Sequence, residues 1–163
     1  MRYVWIGLCL LWSVAGVLRA QDVGTIAIAS IGELQKIGND AAYPLNGHYY
    51  LTQDIDASEC AMWMGFQPIG SVDKPFTGVL DGRGYRITGL VVIAWNNLDY
   101  VGLFSYVGKA GRIQSLRLTE VRVAPEGMRP IAVAALVGYN AGAISSCHMS
   151  GTVHTDGYKN AGL

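Results

Sequence analysis

Few residues in this sequence are equipped for chemistry, and their spacing decides which reactions are open to them. Asp54-x-Asp56-x-x-Glu59 sets three carboxylates close together, and oxygen ligands at short spacing can hold calcium. The segment lacks the glycine and the further ligands of an EF-hand loop, so carboxylates at a solvated strand end are the plainer reading. Paired carboxylates also hydrolyse glycosidic bonds. Asp54, Asp56, Asp81 and Asp99 are the residues on offer, and Asp81 in Asp-Gly-Arg-Gly suits a turn better than catalysis. His48, His148 and His154 are the only histidines. His148 and His154 can ligate a metal only if the fold brings them together.

Of the three cysteines, Cys9 sits in an apolar N-terminal run, which leaves Cys60 and Cys147. Cys147 has no cationic neighbour to lower its pKa and reads as a small core residue. The two thiols match no disulfide framework. Among the aromatics, Tyr49 and Tyr50 are adjacent and must face opposite ways on a strand, so one of them is buried. Tyr106 and Tyr139 recur at equivalent places and form either a stacked structural ladder or a sugar-binding strip. Trp63 and Trp95 read as packing residues. The sequence thus offers no catalytic constellation, no cofactor motif and no metal-ligand set.

The elements that position these residues follow from composition and pattern. The chain of 163 residues is 51% hydrophobic and 15% charged, with 21 glycines. A charged fraction below the roughly 25% of ordinary domains leaves few solvated helix faces and argues against a helical bundle. Twelve basic residues balance twelve acidic ones, which gives no field to hold nucleic acid or an anionic membrane. Met1 and Arg2 precede an uncharged run from Tyr3 to Leu18, followed by Arg19-Ala20-Gln21. This reads as a secretory signal peptide over 1–20, cleaved between Ala20 and Gln21, with an uncleaved signal anchor as the competing reading. After removal, ten basic residues face twelve acidic ones. The 143 residues left suffice for one domain, with no second apolar segment long enough to span a membrane.

Ser30-Ile-Gly-Glu33 has capping-box spacing, with Ile31, Leu34 and Ile37 at helical intervals, and predicts a short helix over 31–38. Beyond it the chain reads as β structure, including a turn signal at Asp81-Gly82. Two interleaved patterns recur. Ile87-x-x-Leu90-x-Val92, Ile113-x-x-Leu116-x-Leu118 and Ile144-x-x-Cys147-x-Met149 are spaced 26 and 31 residues apart. Val101-Gly102-Leu103-Phe-Ser-Tyr106, Ala134-Ala-Leu136-Val-Gly138-Tyr139 and Ala161-Gly162-Leu163 are spaced 33 and 27 apart. Strands of this alternation bury their apolar face by stacking in register. The expectation is an all-β parallel solenoid with a short N-terminal helix. Leu90, Leu116 and Cys147 would form one inward stack, with Val92, Leu118 and Met149 beside it and Arg117 and His148 outside. An antiparallel sandwich is the alternative.

The strings Val101-Gly-Leu-Phe and Ala135-Leu-Val-Gly138, each followed by Gly-x-Ile-x-Ser, resemble the GLUG repeats of bacterial secreted and surface proteins. Tyr43 to Asp56, Phe66 to Gly70 and Pro75 to Ile87 resemble the leader that commonly precedes them. The resemblance covers roughly residues 31–163. It implies a right-handed β-helix-like module of large exported proteins, among them adhesin-like proteins and immunoglobulin A peptidases. The expected organisation is a signal at 1–20, a leader or capping segment at 21–75 and repeats at 76–163, the last one incomplete. The sequence has no His-Glu-x-x-His, so peptidase activity does not carry over, and Ala135 stands where the motif usually has glycine. The resulting expectation is a non-catalytic structural or adhesive module at the cell surface, a fragment of a longer protein. Its partner would be a host or environmental glycan or protein, and its open strand edge at Leu163 would favour self-association. The alternative is a glycan-cleaving enzyme on the same scaffold.

Overall fold

A computed structural model describes residues 24–93, 99–124, 130–154 and 161–162. The signal segment with Ala20 and Gln21, Trp95 and Leu163 lie outside the described residues. Every pairing between the described strands is parallel, and the chain winds as a β-solenoid of about three turns. The first sheet stacks Thr25–Ile28, His48–Leu51, Val79–Asp81, Arg112–Gln114 and Ala143–Ser145. The second stacks Ile55–Asp56, Arg86–Thr88, Arg117–Val123 and His148–Val153, with Val91–Val92 joining the far end of Arg117–Val123. Smaller sheets place Ala132–Ala134 between Tyr100–Val101 and Ala161–Gly162, and Phe104–Val107 beside Val137–Asn140. The Asp81-Gly82 turn is therefore a corner between two parallel sheets and not a hairpin.

The predicted helix is present over Ile31–Lys36, capped where the Ser30 side chain accepts from the Glu33 N–H. It stops before residue 38 because Ile37 turns to ψ 115° and Gly38 adopts φ +80°. Its Ile31, Leu34 and Ile37 side chains close over the core. A 3₁₀ helix at Ser58–Trp63, not foreseen in the sequence, adds Cys60 to the same core.

Side chains at alternate positions point inward and stack along the axis. Ile26, Tyr49, Leu80, Ile113 and Ile144 form one in-register column, and Ile55, Ile87, Leu118 and Met149 another. Ile87, Leu90, Val92, Ile113, Leu116 and Leu118 are fully buried, as are Gly102 and Leu103, and Leu136 is nearly so. Leu116 lies beside Cys147, since the next residues Arg117 and His148 are paired.

Three expectations need correction. Leu90 does not stack on Leu116: the Arg122 N–H donates to the Leu90 carbonyl, which sets Leu90 beside Val121. Val92 likewise pairs with Val123, and Leu118 pairs with Ile87. The cause is the longer corner Asp81-Gly82-Arg83-Gly84, which shifts the earlier coil against the later ones. Ile144 is 39% exposed, because its strand is an edge of the first sheet with a neighbour on one side only. Cys147 and Met149 are half-buried for the same reason, their strand being an edge of the second sheet.

Candidate functional site

The parallel register turns each outward position into a row of side chains along the axis, about 4.8 Å from one coil to the next. On the second sheet this row reads Arg86, Arg117, His148. Asp54 extends it at one end: its Oδ2 lies 3.1 Å from Arg86 Nε, and its Oδ1 accepts from the Arg86 N–H at 3.0 Å. Both side chains are more than half exposed, so the pair contributes well under 1 kcal/mol. The neighbouring row holds Thr88 and Thr119, whose hydroxyls share a hydrogen bond at 2.9 Å.

A shallow groove at this end collects Asp54, Asp56, Ser58, Arg86, Thr88 and Glu120. Asp54 and Asp56 of the sequence cluster thus meet, whereas Glu59 sits on the 3₁₀ helix and its place is taken by Glu120. Glu120 enters through a break in the register between Leu118 and Val121, where it adopts φ +56°. Asp56 Oδ1 accepts from the Ser58 N–H at 2.9 Å, and that bond and the Ser58 hydroxyl hold its carboxyl below the usual aspartate range. Asp56 is therefore ionised and employed in a turn, which suits it poorly as a general acid. Asp81 is likewise engaged, accepting from the Arg83 N–H at 2.8 Å and from the Gln114 amide at 2.9 Å. Asp99 lies apart, its carbonyl accepting from Ile131 and Ala132. Among the described residues no group of three or more histidine, cysteine, aspartate or glutamate side chains is placed to hold a metal ion.

Among the described residues Cys60 and Cys147 are free thiols. Burial, with the nearby Glu59 charge, pushes the Cys60 thiol up to about 11. Burial also raises Cys147, whose Sγ donates to the Ser145 carbonyl at 3.3 Å. Since the thiolate is the reactive species, Cys60 should resist iodoacetamide at pH 8 in the folded chain and label fully in denaturant, which mass spectrometry reads directly. Rapid native labelling of Cys60 would contradict its buried placement.

Tyr106 and Tyr139 are register partners, with ring centroids 4.4 Å apart and planes 17° from parallel. Tyr100 packs against both, at 5.9 and 5.1 Å. Tyr139 is 41% exposed, so the cluster is partly open to solvent. The Tyr106 hydroxyl is pushed above its ordinary pKa by desolvation first and then by the Tyr139 and Tyr100 hydroxyls. Tyr49 is the buried member of its pair, while Tyr50 faces out under the Arg83 guanidinium, 3.7 Å from its ring centre.

Comparison with known proteins gives partial matches. No family model matches this chain, and no solved structure does so significantly. A protein of Evansella cellulosilytica described as a Gly-rich membrane protein is 39% identical over 103 residues, which is 61% of this chain. Halomucin of Haloquadratum walsbyi is 37% identical over 132 residues, 78% of this chain. The matches span 12% and 1% of those relatives' lengths. This chain is thus similar to short segments of much larger proteins.

Proposed function

We propose that the chain is a non-catalytic structural and adhesive repeat module of an exported surface protein, of the GLUG type. The observation that carries this reading is the in-register stacking of successive coils. It spends the apolar residues on one continuous core and leaves the polar ones as outward rows. Such a scaffold extends a surface by repetition, each coil contacting only its neighbours. The similarity to segments of a halomucin and of a membrane protein, each much longer than this chain, supports a place at the cell surface. No helix among the described residues is long and apolar enough to cross a membrane, and the attachment we favour is export through the signal segment. The half-open edge strands, with Ile144 exposed, also favour edge-to-edge association with a second chain.

Expression of the whole sequence in a bacterial host with fractionation and N-terminal sequencing tests this. The expected product begins at Gln21, lies outside the cytoplasm and releases no reducing sugar from glycan substrates. Intact Met1 in the membrane fraction would replace secretion by anchoring, and reducing-sugar release would overturn the non-catalytic reading.

A further inference from the structure

The geometry points to a second groove, at the corner between the first and second sheets, as a binding site for the anionic groups of an acidic polysaccharide. Arg83, Ser115, Arg117, Ser146 and His148 line it together with Asp81. The proposal deepens the adhesive reading above by naming a ligand class, and it rests on that reading.

Three observations converge on an anion. First, cations outnumber carboxylates, two arginines to one aspartate. Arg117 and His148 are adjacent in the outward row and both exposed, and Arg83 is held at the rim by its contact over the Tyr50 ring. Among the described residues the one ion pair is Arg86 with Asp54, so Arg83 and Arg117 are not neutralised. The one carboxylate of the groove, Asp81, already accepts from the Arg83 N–H and the Gln114 amide.

Second, hydroxyl donors are placed among these side chains. Ser115 and Ser146 occupy equivalent corner positions, because Gln114 pairs with Ser145. Both adopt left-handed backbone, at φ +52° and +53°, and Arg83 does so at +50°. Serine is a costly choice there, where glycine or asparagine is cheaper, and such strain in side-chain-bearing residues gathers at binding sites.

Third, the groups repeat along the axis at the coil spacing of about 4.8 Å. A ligand carrying one anion per sugar can engage successive coils, whereas a single small anion meets only one. The other groove on the same sheet carries Asp54, Asp56 and Glu120 with the single cation Arg86, which is already paired with Asp54. Its excess of carboxylates disfavours a polyanion there and leaves the groove of Arg83 and Arg117 as the better place for one.

Binding of the purified chain to polygalacturonate, dextran sulfate, neutral dextran and duplex DNA, measured by affinity electrophoresis at low and high salt, tests the proposal. The polygalacturonate and dextran sulfate arms distinguish carboxylate from sulfate as the anion recognised. The expected result is salt-sensitive retardation by one or both acidic polysaccharides and none by neutral dextran. The double variant Arg117→Ser with His148→Ser should weaken binding roughly tenfold, with an unchanged thermal melt. Arg112→Ser, on the outer face of the first sheet, should leave binding as it was. No retardation by either acidic polysaccharide would overturn the proposal, as would undiminished binding by the double variant. DNA bound as tightly as the polysaccharides would also overturn it, by reducing the groove to a general polyanion surface. All of these outcomes are read on purified chain, so they are separate from failure of export.

Discussion

Leu116→Asp is expected to destabilise the fold by about 5 kcal/mol, while Arg117→Asp changes stability by about 0.5 kcal/mol or less. Leu116 is fully buried at the turn into the second sheet, beside Cys147 of the next coil. The substitution removes about 2 kcal/mol of apolar burial and leaves a carboxylate with no cation or donor inside the solenoid. Such a loss is comparable to the whole stability of a small domain. Arg117 is the very next residue, yet its side chain stands in the exposed row between Arg86 and His148, where an aspartate meets water and the Arg86 guanidinium. Thermal and urea melts of both variants make the comparison. Should Leu116→Asp fail to fold, Leu116→Ala keeps the question measurable, with a loss of about 2–5 kcal/mol. Equal losses at 116 and 117 would remove the inside-outside assignment on which every outward row depends.

That assignment was legible in the sequence, and so was the register of residues 113–118 against 144–149, whereas Val101 and Ala161 pair with Val133 and not with Ala134. Ile113, Leu116 and Leu118 meet Ile144, Cys147 and Met149 at a constant spacing of 31 residues, because both coils turn the corner with Ser115-Leu116 and Ser146-Cys147. The earlier coil misled because its corner is two residues longer, through Arg83 and Gly84. Apolar alternation says which side of a strand faces in, and it does not say which strand of a coil is being read. Matching Ile87 to Ile113 therefore landed one strand late. The helix was legible from Ser30 and Glu33, since capping is local chemistry. The basic groove was not. Arg83, Arg117 and His148 differ in type and lie far apart in sequence, and only the register gathers them. Glu120 joins Asp54 and Asp56 through a bulge that no local signal announces.

A glycine column at the corner before the first sheet was also hidden, because its spacing is uneven, and it yields the second large effect. Gly24, Gly47, Gly78, Gly111 and Gly142 each precede by two residues the inward column Ile26, Tyr49, Leu80, Ile113 and Ile144, and so lie level with one another. None of these five glycines has positive φ, so conformational freedom is not the reason for them. Close approach is. A Cβ on Gly78 would lie 2.0 Å from the Gly47 carbonyl oxygen, and one on Gly142 would lie 2.3 Å from that of Gly111. The same carbonyls carry the coil-to-coil hydrogen bonds: Gly47 accepts from Val79 at 3.0 Å, Gly78 from Arg112 at 2.9 Å and Gly111 from Ala143 at 2.9 Å. A methyl at Gly78 must push the corner apart and lengthen those bonds, and backbone cannot give way as the end of a side chain can. Gly78→Ala should therefore cost about 3 kcal/mol, at the upper end for overpacking. Gly24 has nothing within 4 Å of its Cβ position, so Gly24→Ala should be neutral or gain up to about 1 kcal/mol by restricting the unfolded chain. Urea denaturation of the two variants separates a steric requirement from a general intolerance of alanine at this corner. If Gly78→Ala unfolded at the parent's urea midpoint, the coils could not approach so closely there, and the glycine column would not be what sets their spacing.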